Sequence, residues 1–240
     1  MRKIIISIII IGTLFSCSRF KNKEIDSTKD QRIVCLSKQL TEYVFELGKG
    51  HNIVAVDLSS TYPDSTKLLK TVGYHRALSP ESIIAMNPDL VIHSNDIGPD
   101  NVLPQITKAG LNIKAFGGAN TIDSAKLLLK DLGKFLGQEK KADSLINKMN
   151  TDIARAADTL KALHLVDTPK VMIIHFGRAN NVYFVMSGRR GGGVGDKLIA
   201  LAGGKTAIYD AKGARQISAE AVAAANPSVT AFADRNCRND

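Results

Sequence analysis

Short apolar runs rich in β-branched residues alternate with helix-like stretches through the first half of the chain. Runs of this kind predict buried strands at 32–37, 52–57, 90–93 and 112–116. Helical patterns separate them, at 39–48, from Ser79 onward and at 99–109. Strands that alternate with helices are typical of a parallel sheet covered by helices on both faces. The pattern therefore predicts an α/β fold.

One segment of this pattern occurs twice. Residues 78–91 return as 217–230 with Ser, Glu, Ala, Asn and Pro at the same positions. Each copy is typical of an N-cap serine, a short helix, an Asn-Pro stop and a strand. The run at 170–175 likewise resembles 32–37, and 196–204 resembles 42–50. A repeat this far apart predicts two similar Rossmann-like lobes with parallel sheets, and a cleft between lobes is a common place for a ligand.

A long helical stretch separates the two copies. From Thr121 to about Leu163 the chain consists mostly of good helix formers, with Gly137 as the clear break. Because this stretch lies between the copies, we expect a rigid linker helix at 138–165 that joins the lobes. The predicted domains are then an N-terminal lobe at 32–137, the linker helix, and a partial C-terminal lobe at 166–240.

The second lobe is predicted to be incomplete. It carries an extra insertion at 176–194, and few residues follow its motif strand at 228–232. The last segment, 234–240, has almost no apolar content and cannot complete a sheet. We expect the last strand to lack a partner, with its edge unpaired and its apolar face partly bare.

The N-terminus has the pattern of a lipoprotein signal peptide at 1–17. Arg2 and Lys3 precede an apolar run, and small residues lead to Cys17. Such an arrangement resembles a bacterial lipobox, in which the cysteine sulfur takes lipid. Residues 18–31 are polar and predict a flexible tether. The expected location is the periplasmic or cell-surface side of a bacterial membrane, with a lipid anchor at Cys17.

Composition and motifs exclude several classes of function. The net charge is +9, but Lys and Arg are spread along the chain and aromatic residues make up only 5%, which argues against nucleic-acid binding. Cys35 lies in an apolar run and is expected to be a buried small hydrophobe. Gly204 to Thr206 could end a P-loop, but Ile199 occupies the first glycine position and a strand follows. No motif indicates an enzyme.

Tyr74 and Arg76 form the most specific chemical feature. They lie in Gly-Tyr-His-Arg, immediately before the first repeat helix. A guanidinium beside a phenol favours the anionic form of the phenol. Phenolate is a hard, anionic ligand for ferric iron, and tyrosine is an axial haem ligand in catalase.

A signature of the haem-binding lipoproteins of bacterial haem ABC importers resembles residues 72–81, Val-Gly-Tyr-His-Arg-Ala-Leu-Ser-Pro-Glu. These lipoproteins are helical-backbone periplasmic binding proteins. Thr61-Tyr62-Pro63 upstream carries the resemblance too, as do 187–189 and 201–204 downstream. The resemblance extends from about Arg32 to Val229. The resemblance implies that Tyr74 binds the haem iron and that Arg76 stabilises the phenolate.

The resemblance implies further roles. His175 is a candidate second iron ligand, while Tyr62 and His75 are weaker candidates. Arg178, Arg189 and Arg190 lie in or next to the insertion and are candidate contacts for the haem propionates. Glu81 and Glu220 occupy equivalent helix starts and are predicted to dock onto arginines of paired permease subunits, although each also favours the N-terminus of its own helix.

The sequence thus predicts a substrate-binding protein, not an enzyme, that captures haem and delivers it to an ABC permease and its ATPase. One alternative is a cobalamin or ferric-siderophore binding protein of the same fold. An alternative from another class is a haem-dependent enzyme with a tyrosinate ligand, and a third is a truncated relic without function.

Overall fold

The computed structural model describes residues 31–164, 166–178, 182–187, 193–208 and 213–232. Within these residues the chain divides into two compact units, the first formed by residues up to 118 with 128–142, and the second by 119–127 with the residues from 143 onward.

The first unit is built on a parallel sheet. Its strands and helices, in chain order, are β1 (Ile33–Leu36), α1 (Lys38–Glu46), β2 (Ile53–Val56), β3 (Lys70–Thr71), β4 (Gly73–Tyr74), β5 (Ala77–Leu78), α2 (Pro80–Ile84), β6 (Leu90–Ser94), α3 (Val102–Lys108) and β7 (Ile113–Phe116). Short 3₁₀ helices cover Gly50–Asn52 and Asp64–Leu68. The sheet order is β3-β2-β1-β6-β7, and every pairing in it is parallel.

This strand order places a topological switch point between β1 and β6. The chain builds the sheet outward from β1 through β2 to β3, then returns to the other side of β1 with β6. In open α/β sheets ligands bind outside the carboxyl ends of the strands at such a point. All four residues of β1 are buried, as expected for a central strand with helices on both faces. The predicted α/β fold of this lobe is confirmed.

Two long helices follow, α4 (Ile122–Phe135) and α5 (Glu139–Ala162). Each contributes residues to both units. α5 falls within the stretch predicted to be helical. Ala142 is the residue of this helix that is buried. Its role as a linker, and the predicted lobe boundaries, stay predictions. In the described part of the chain no helix is both long and apolar enough to cross a membrane.

The second unit contains a sheet centred on β8. Its elements are β8 (Lys170–Arg178), β9 (Val182–Ser187), α6 (Val194–Leu201), β10 (Lys205–Thr206), β11 (Gly213–Ile217), α7 (Ala219–Ala225) and β12 (Val229–Phe232). β10 and β12 pair with β8 in parallel, while β9 pairs antiparallel with both β8 and β11. Much of the expected insertion at 176–194 is therefore part of the sheet, because β8 continues to Arg178 and β9 pairs with it.

The last described strand has a partner, contrary to expectation. β12 pairs with β8 from Val229 opposite Val171 to Phe232 opposite Ile174. Its four residues are nonetheless exposed, with Phe232 at 60%. The sequence pattern predicted this bare surface correctly, but it did not show that β8 is long enough to pair with several strands.

The sequence repeat corresponds to a repeat in backbone structure. Ser79 and Ser218 cap their helices by accepting the amide hydrogens of Ser82 and Ala221. Asn87 and Asn226 both adopt a left-handed conformation with φ of 44°. This conformation is costly for most L-residues, and asparagine tolerates it better than most. The shared Asn-Pro therefore turns the chain from helix to strand in both units.

Replacement of Asn87 by alanine should lower the free energy of unfolding by about 1 kcal/mol, because alanine disfavours the left-handed region. Replacement by glycine, which adopts this conformation freely, should leave stability nearly unchanged. Urea unfolding followed by circular dichroism provides the measurement. Equal losses for both variants would show that the asparagine side chain, and not the backbone angle, matters here.

Candidate functional site

The candidate site is centred on a small hairpin beside the carboxyl end of β2. In the β4–β5 pair, Tyr74 lies opposite Ala77, so His75 and Arg76 form the turn. Gly73 has φ of 107°, a conformation that favours glycine, and its carbonyl accepts a hydrogen bond from the amide of Leu58 at 2.9 Å. This bond ties the hairpin to the loop that follows β2.

Three large side chains of this region are solvent-exposed. Tyr74 is 44% exposed, Leu58 55% and Tyr62 49%. The Leu58–Gly73 backbone bond brings Leu58 next to the hairpin that carries Tyr74. Leu58 beside the hairpin of Tyr74 thus provides exposed apolar surface for a flat, apolar ligand.

His75, in contrast, points into the protein. Its side chain is 14% exposed, and Nδ1 lies 3.0 Å from Oδ2 of Asp57. Because an ionised carboxylate can only accept hydrogen bonds, Nδ1 carries the hydrogen of this contact. The other ring nitrogen, Nε2, lies 3.5 Å from Oδ2 of Asp96. His75 is therefore held between two carboxylates.

Asp57 is completely buried, and polar groups surround it. Its Oδ2 accepts hydrogen bonds from the amide and the hydroxyl of Ser59, at 3.0 and 2.6 Å, in addition to the bond from His75. Its Oδ1 accepts one from the hydroxyl of Ser60 at 2.7 Å, and Ser60 in turn contacts Thr41 of α1 at 2.9 Å. Such a set of donors compensates a buried charge that would otherwise be costly.

Asp96 follows β6 and contacts both turn residues. Arg76 donates to its Oδ2 at 3.4 Å, and the hydroxyl of Ser94 donates to its Oδ1. Partial burial opposes ionisation, yet the pKa of Asp96 is lowered, because the Ser94 and Arg76 hydrogen bonds and the neighbouring His75 and Arg76 charges favour the carboxylate. Among the described residues the Arg76 guanidinium thus bonds to Asp96.

Gly98 fixes the turn from a further side. Its amide donates to the carbonyl of His75 and its carbonyl accepts from the amide of Leu78, both at 2.9 Å. A Cβ atom at this glycine would lie 3.3 Å from the carbonyl oxygen of Arg76, so a side chain here would press on the hairpin. The turn is therefore held through its backbone as well as its side chains.

The other predicted haem contacts and the lipidation site lie elsewhere in the chain. His175 and Arg178 lie on β8 of the second unit. Arg189, Arg190 and Cys17 lie outside the described residues. Within the described part of the chain, no group of three or more His, Cys, Asp or Glu side chains is arranged to hold a metal ion.

Glu81 and Glu220 have matching local environments. Both are exposed and lie in the first turn of their helices, α2 and α7. The pKa of each is lowered, because the hydroxyl of the preceding cap serine, Ser79 or Ser218, donates to the carboxylate and the glutamate's own backbone amide adds a second hydrogen bond. Each glutamate thus presents a charged carboxylate at equivalent points of the repeat.

Cys35 behaves as predicted for a buried thiol. It is fully buried in β1, and burial raises its pKa to about 12. A thiol with such a pKa is protonated at neutral pH and is a poor metal ligand or nucleophile.

The functional class of this protein follows from the family that its sequence matches. Residues 33–240 match the family model described as periplasmic binding protein. The chain belongs to the periplasmic binding protein family. Its fold class and its class of function, a solute-binding protein, are therefore those that the sequence predicted.

The proteins to which the chain is similar differ in the ligand that their names give. A periplasmic heme-binding protein from Pseudomonas aeruginosa is 31% identical, with a TM-score of 0.75, and the match covers 86% of this chain and 72% of that one. The uncharacterised ABC transporter substrate-binding lipoprotein YvrC of Bacillus subtilis is 26% identical over 216 residues, 89% of this chain and 67% of the relative. The vitamin B12-binding protein of Yersinia pestis is 26% identical over 200 residues, 83% of this chain and 68% of the relative.

The sequence alone led to Tyr74 and Arg76 as candidate site residues but not to Asp57 and Asp96. A signal was present, because Asp57 directly follows the buried strand β2 and Asp96 follows β6 by two positions. β2 and β6 flank β1 in the parallel sheet, and polar residues just after the carboxyl ends of such strands lie at the edge where these sheets bind ligands.

The Asp96 carboxylate should titrate below the ordinary range of an aspartate. Its contacts therefore stabilise the folded state above the ordinary aspartate pKa and lose this effect as the pH falls through the lowered value. The replacement Arg76→Ala should raise the pKa of Asp96 toward its ordinary value, because one hydrogen bond and one positive charge are lost. Carbon-detected NMR titration of the side-chain carboxyls measures the pKa of Asp96 in the wild type and in the Arg76→Ala variant.

Arg155→Ala is the matched control for this titration, since Arg155 contributes to the lowered pKa of Asp152 and not to that of Asp96. An Asp96 titration that is the same with and without Arg76 would contradict the proposed pairing.

Proposed function

We propose that this protein is the substrate-binding component of an ABC importer, that its cargo is haem, and that Tyr74 binds the haem iron. The observation that carries the proposal is an exposed tyrosine on a hairpin fixed by a buried carboxylate, with exposed Leu58 bonded to the same hairpin. A phenol suits ferric iron, and apolar surface suits the face of a porphyrin. The 31% identity to a heme-binding protein supports the same ligand.

Arg76 has two functions in this proposal. In the described structure it pairs with Asp96, with 63% of its side chain exposed. An exposed arginine in a contact of 3.4 Å is weakly held and can reorient toward a newly formed phenolate. Its positive charge then favours the ionised ligand, as the resemblance implies.

The remaining predicted haem contacts are part of the proposal. His175 is the proposed second ligand to iron, and Arg178 and Arg189 are the proposed partners of the propionates. Cys17 is the proposed site of the lipid anchor at the periplasmic or cell-surface face of the membrane. Glu81 and Glu220 are the proposed docking points for the permease, through which the protein acts with the ATPase.

A cobalamin ligand is the second candidate, since a vitamin B12-binding protein is among the relatives. Titration of the purified protein with hemin and, separately, with cyanocobalamin decides between them by absorption spectroscopy. Hemin should show a saturable shift of its Soret band, and cyanocobalamin should show no change in its own absorption bands. A saturable change for cyanocobalamin and none for hemin would assign the protein to cobalamin.

Tyr74→Phe should weaken hemin binding by about tenfold or more, which corresponds to about 1.4 kcal/mol. The change removes the ligand oxygen and keeps the ring, so packing is nearly conserved. The charge-transfer band of phenolate-bound ferric haem should disappear as well. Tyr43→Phe, on α1, is the matched control and should bind like wild type. Survival of the band in Tyr74→Phe would mean that another residue binds the iron.

Reversal of charge at Glu81 and Glu220 should leave the hemin spectrum intact and strongly reduce permease-dependent uptake. The expected reason is that lysines at these positions would face the permease arginines with like charge. Uptake of hemin by cells that depend on this importer is the readout. Glu139→Lys, at another exposed helix start, is the control. A parallel loss of binding and uptake would instead place these glutamates in the binding site or the fold.

A further inference from the structure

We propose that His75 is a positioning residue for Tyr74 and not an iron ligand. This inference rests on the proposed function and deepens it. Held between Asp57 and Asp96, the imidazole fixes the turn of the β4–β5 hairpin, so that the phenol of Tyr74 is restrained before the ligand arrives.

Both nitrogens of His75 are engaged by carboxylates. Nδ1 donates to Asp57 at 3.0 Å, and Nε2 lies 3.5 Å from Asp96. A histidine that binds iron needs a free nitrogen lone pair directed at the metal. The side chain of His75 is only 14% exposed. To supply a free lone pair, His75 would have to leave both carboxylates.

Release of His75 would also disturb a buried charge. Asp57 is completely buried, and His75 is one of its four donors. The other three donors come from Ser59 and Ser60, and Ser60 contacts Thr41 of α1. The loss of a partner from a buried carboxylate is costly, so this network holds the ring in place.

The fixed ring contacts Tyr74 directly. The two ring centroids are 4.3 Å apart with an angle of 57° between the planes. A tilted aromatic contact at this distance is favourable and limits the orientations of the exposed phenol. The backbone bond from Gly98 to the carbonyl of His75 restrains the same turn. His75 thus links a buried anchor to the residue proposed to bind iron.

Such restraint has a functional consequence. A ligand group that is already fixed loses less conformational freedom on binding, and its affinity rises accordingly. The effect should be confined to ligands that need the Tyr74 oxygen. A porphyrin without iron contacts the same apolar surface but makes no bond to the phenolate, so it should depend much less on His75.

The test compares hemin with metal-free protoporphyrin IX in wild type, His75→Ala, His75→Gln and the control His51→Ala. We expect His75→Ala to weaken hemin binding about tenfold and to reduce the phenolate charge-transfer band, while protoporphyrin IX affinity changes less than about twofold. His75→Gln still offers a hydrogen-bond donor to Asp57, so it should lose less hemin affinity than His75→Ala. The control should match wild type for both probes.

An equal loss of both porphyrins in His75→Ala would overturn the proposal in favour of a general role in the fold. An unchanged hemin affinity and band would overturn it too. A wild-type spectrum of histidine-bound iron that disappears with His75 would overturn it by making His75 the ligand. Should His75→Ala fail to fold, the same comparison with His75→Gln decides, since this substitution keeps a donor for the buried carboxylate.

Amide exchange in the ligand-free protein separates this inference from the proposed function. The amides of Leu58 and Leu78, which bond to Gly73 and Gly98, should exchange faster in His75→Ala and not in His51→Ala. Unchanged exchange would overturn the positioning role whatever the protein binds. Absence of hemin binding by wild type, with faster exchange in the variant, would instead reject haem as the cargo and support the role of His75 in holding the turn.

Discussion

The buried carboxylate of Asp57 is the constraint on which the candidate site depends. An ionised group without access to water must receive hydrogen bonds, and Asp57 receives them from Ser59, Ser60 and His75. Together these bonds determine the path of the loop after β2 and the position of the hairpin turn. The exposed Tyr74 is therefore attached to a rigid part of the molecule, although it lies in a short connecting element.

The topology of the first sheet explains why the network forms at this place. β2 and β6 lie on either side of β1, and the residues that follow them emerge at the same edge. Asp57 comes from one of these ends and Asp96 from the other, and His75 bridges them at 3.0 and 3.5 Å. A parallel sheet with a switch point concentrates loop residues at one edge, which is where members of this fold class bind ligands.

The repeat shows which features belong to the fold and which to the site. Both units share the cap serine, the glutamate in the first turn, the left-handed asparagine and the strand that follows. Backbone hydrogen bonds from Asp89 to Arg32 and from Ser228 to Lys170 are also equivalent. In contrast, the Tyr-His-Arg hairpin comes before the repeated segment and belongs to the first unit.

The sequence by itself determined the α/β class, the parallel strands of the first unit, the repeat and the family to which the chain belongs. Local patterns are sufficient for these features, because burial on both faces forces a strand to be apolar along its length. Tyr74 and Arg76 could be proposed as site residues from the sequence, since they are close together in the chain. The sequence could not reveal the extended β8, its antiparallel partner β9 or the pairing of β12, since pairing depends on residues distant in sequence. Nor could it show that His75 faces inward between Asp57 and Asp96, or that Arg76 bonds to Asp96. Acidic residues in loops look alike in a sequence, and only the packing of β2 and β6 beside the hairpin brings these two carboxylates to the same histidine.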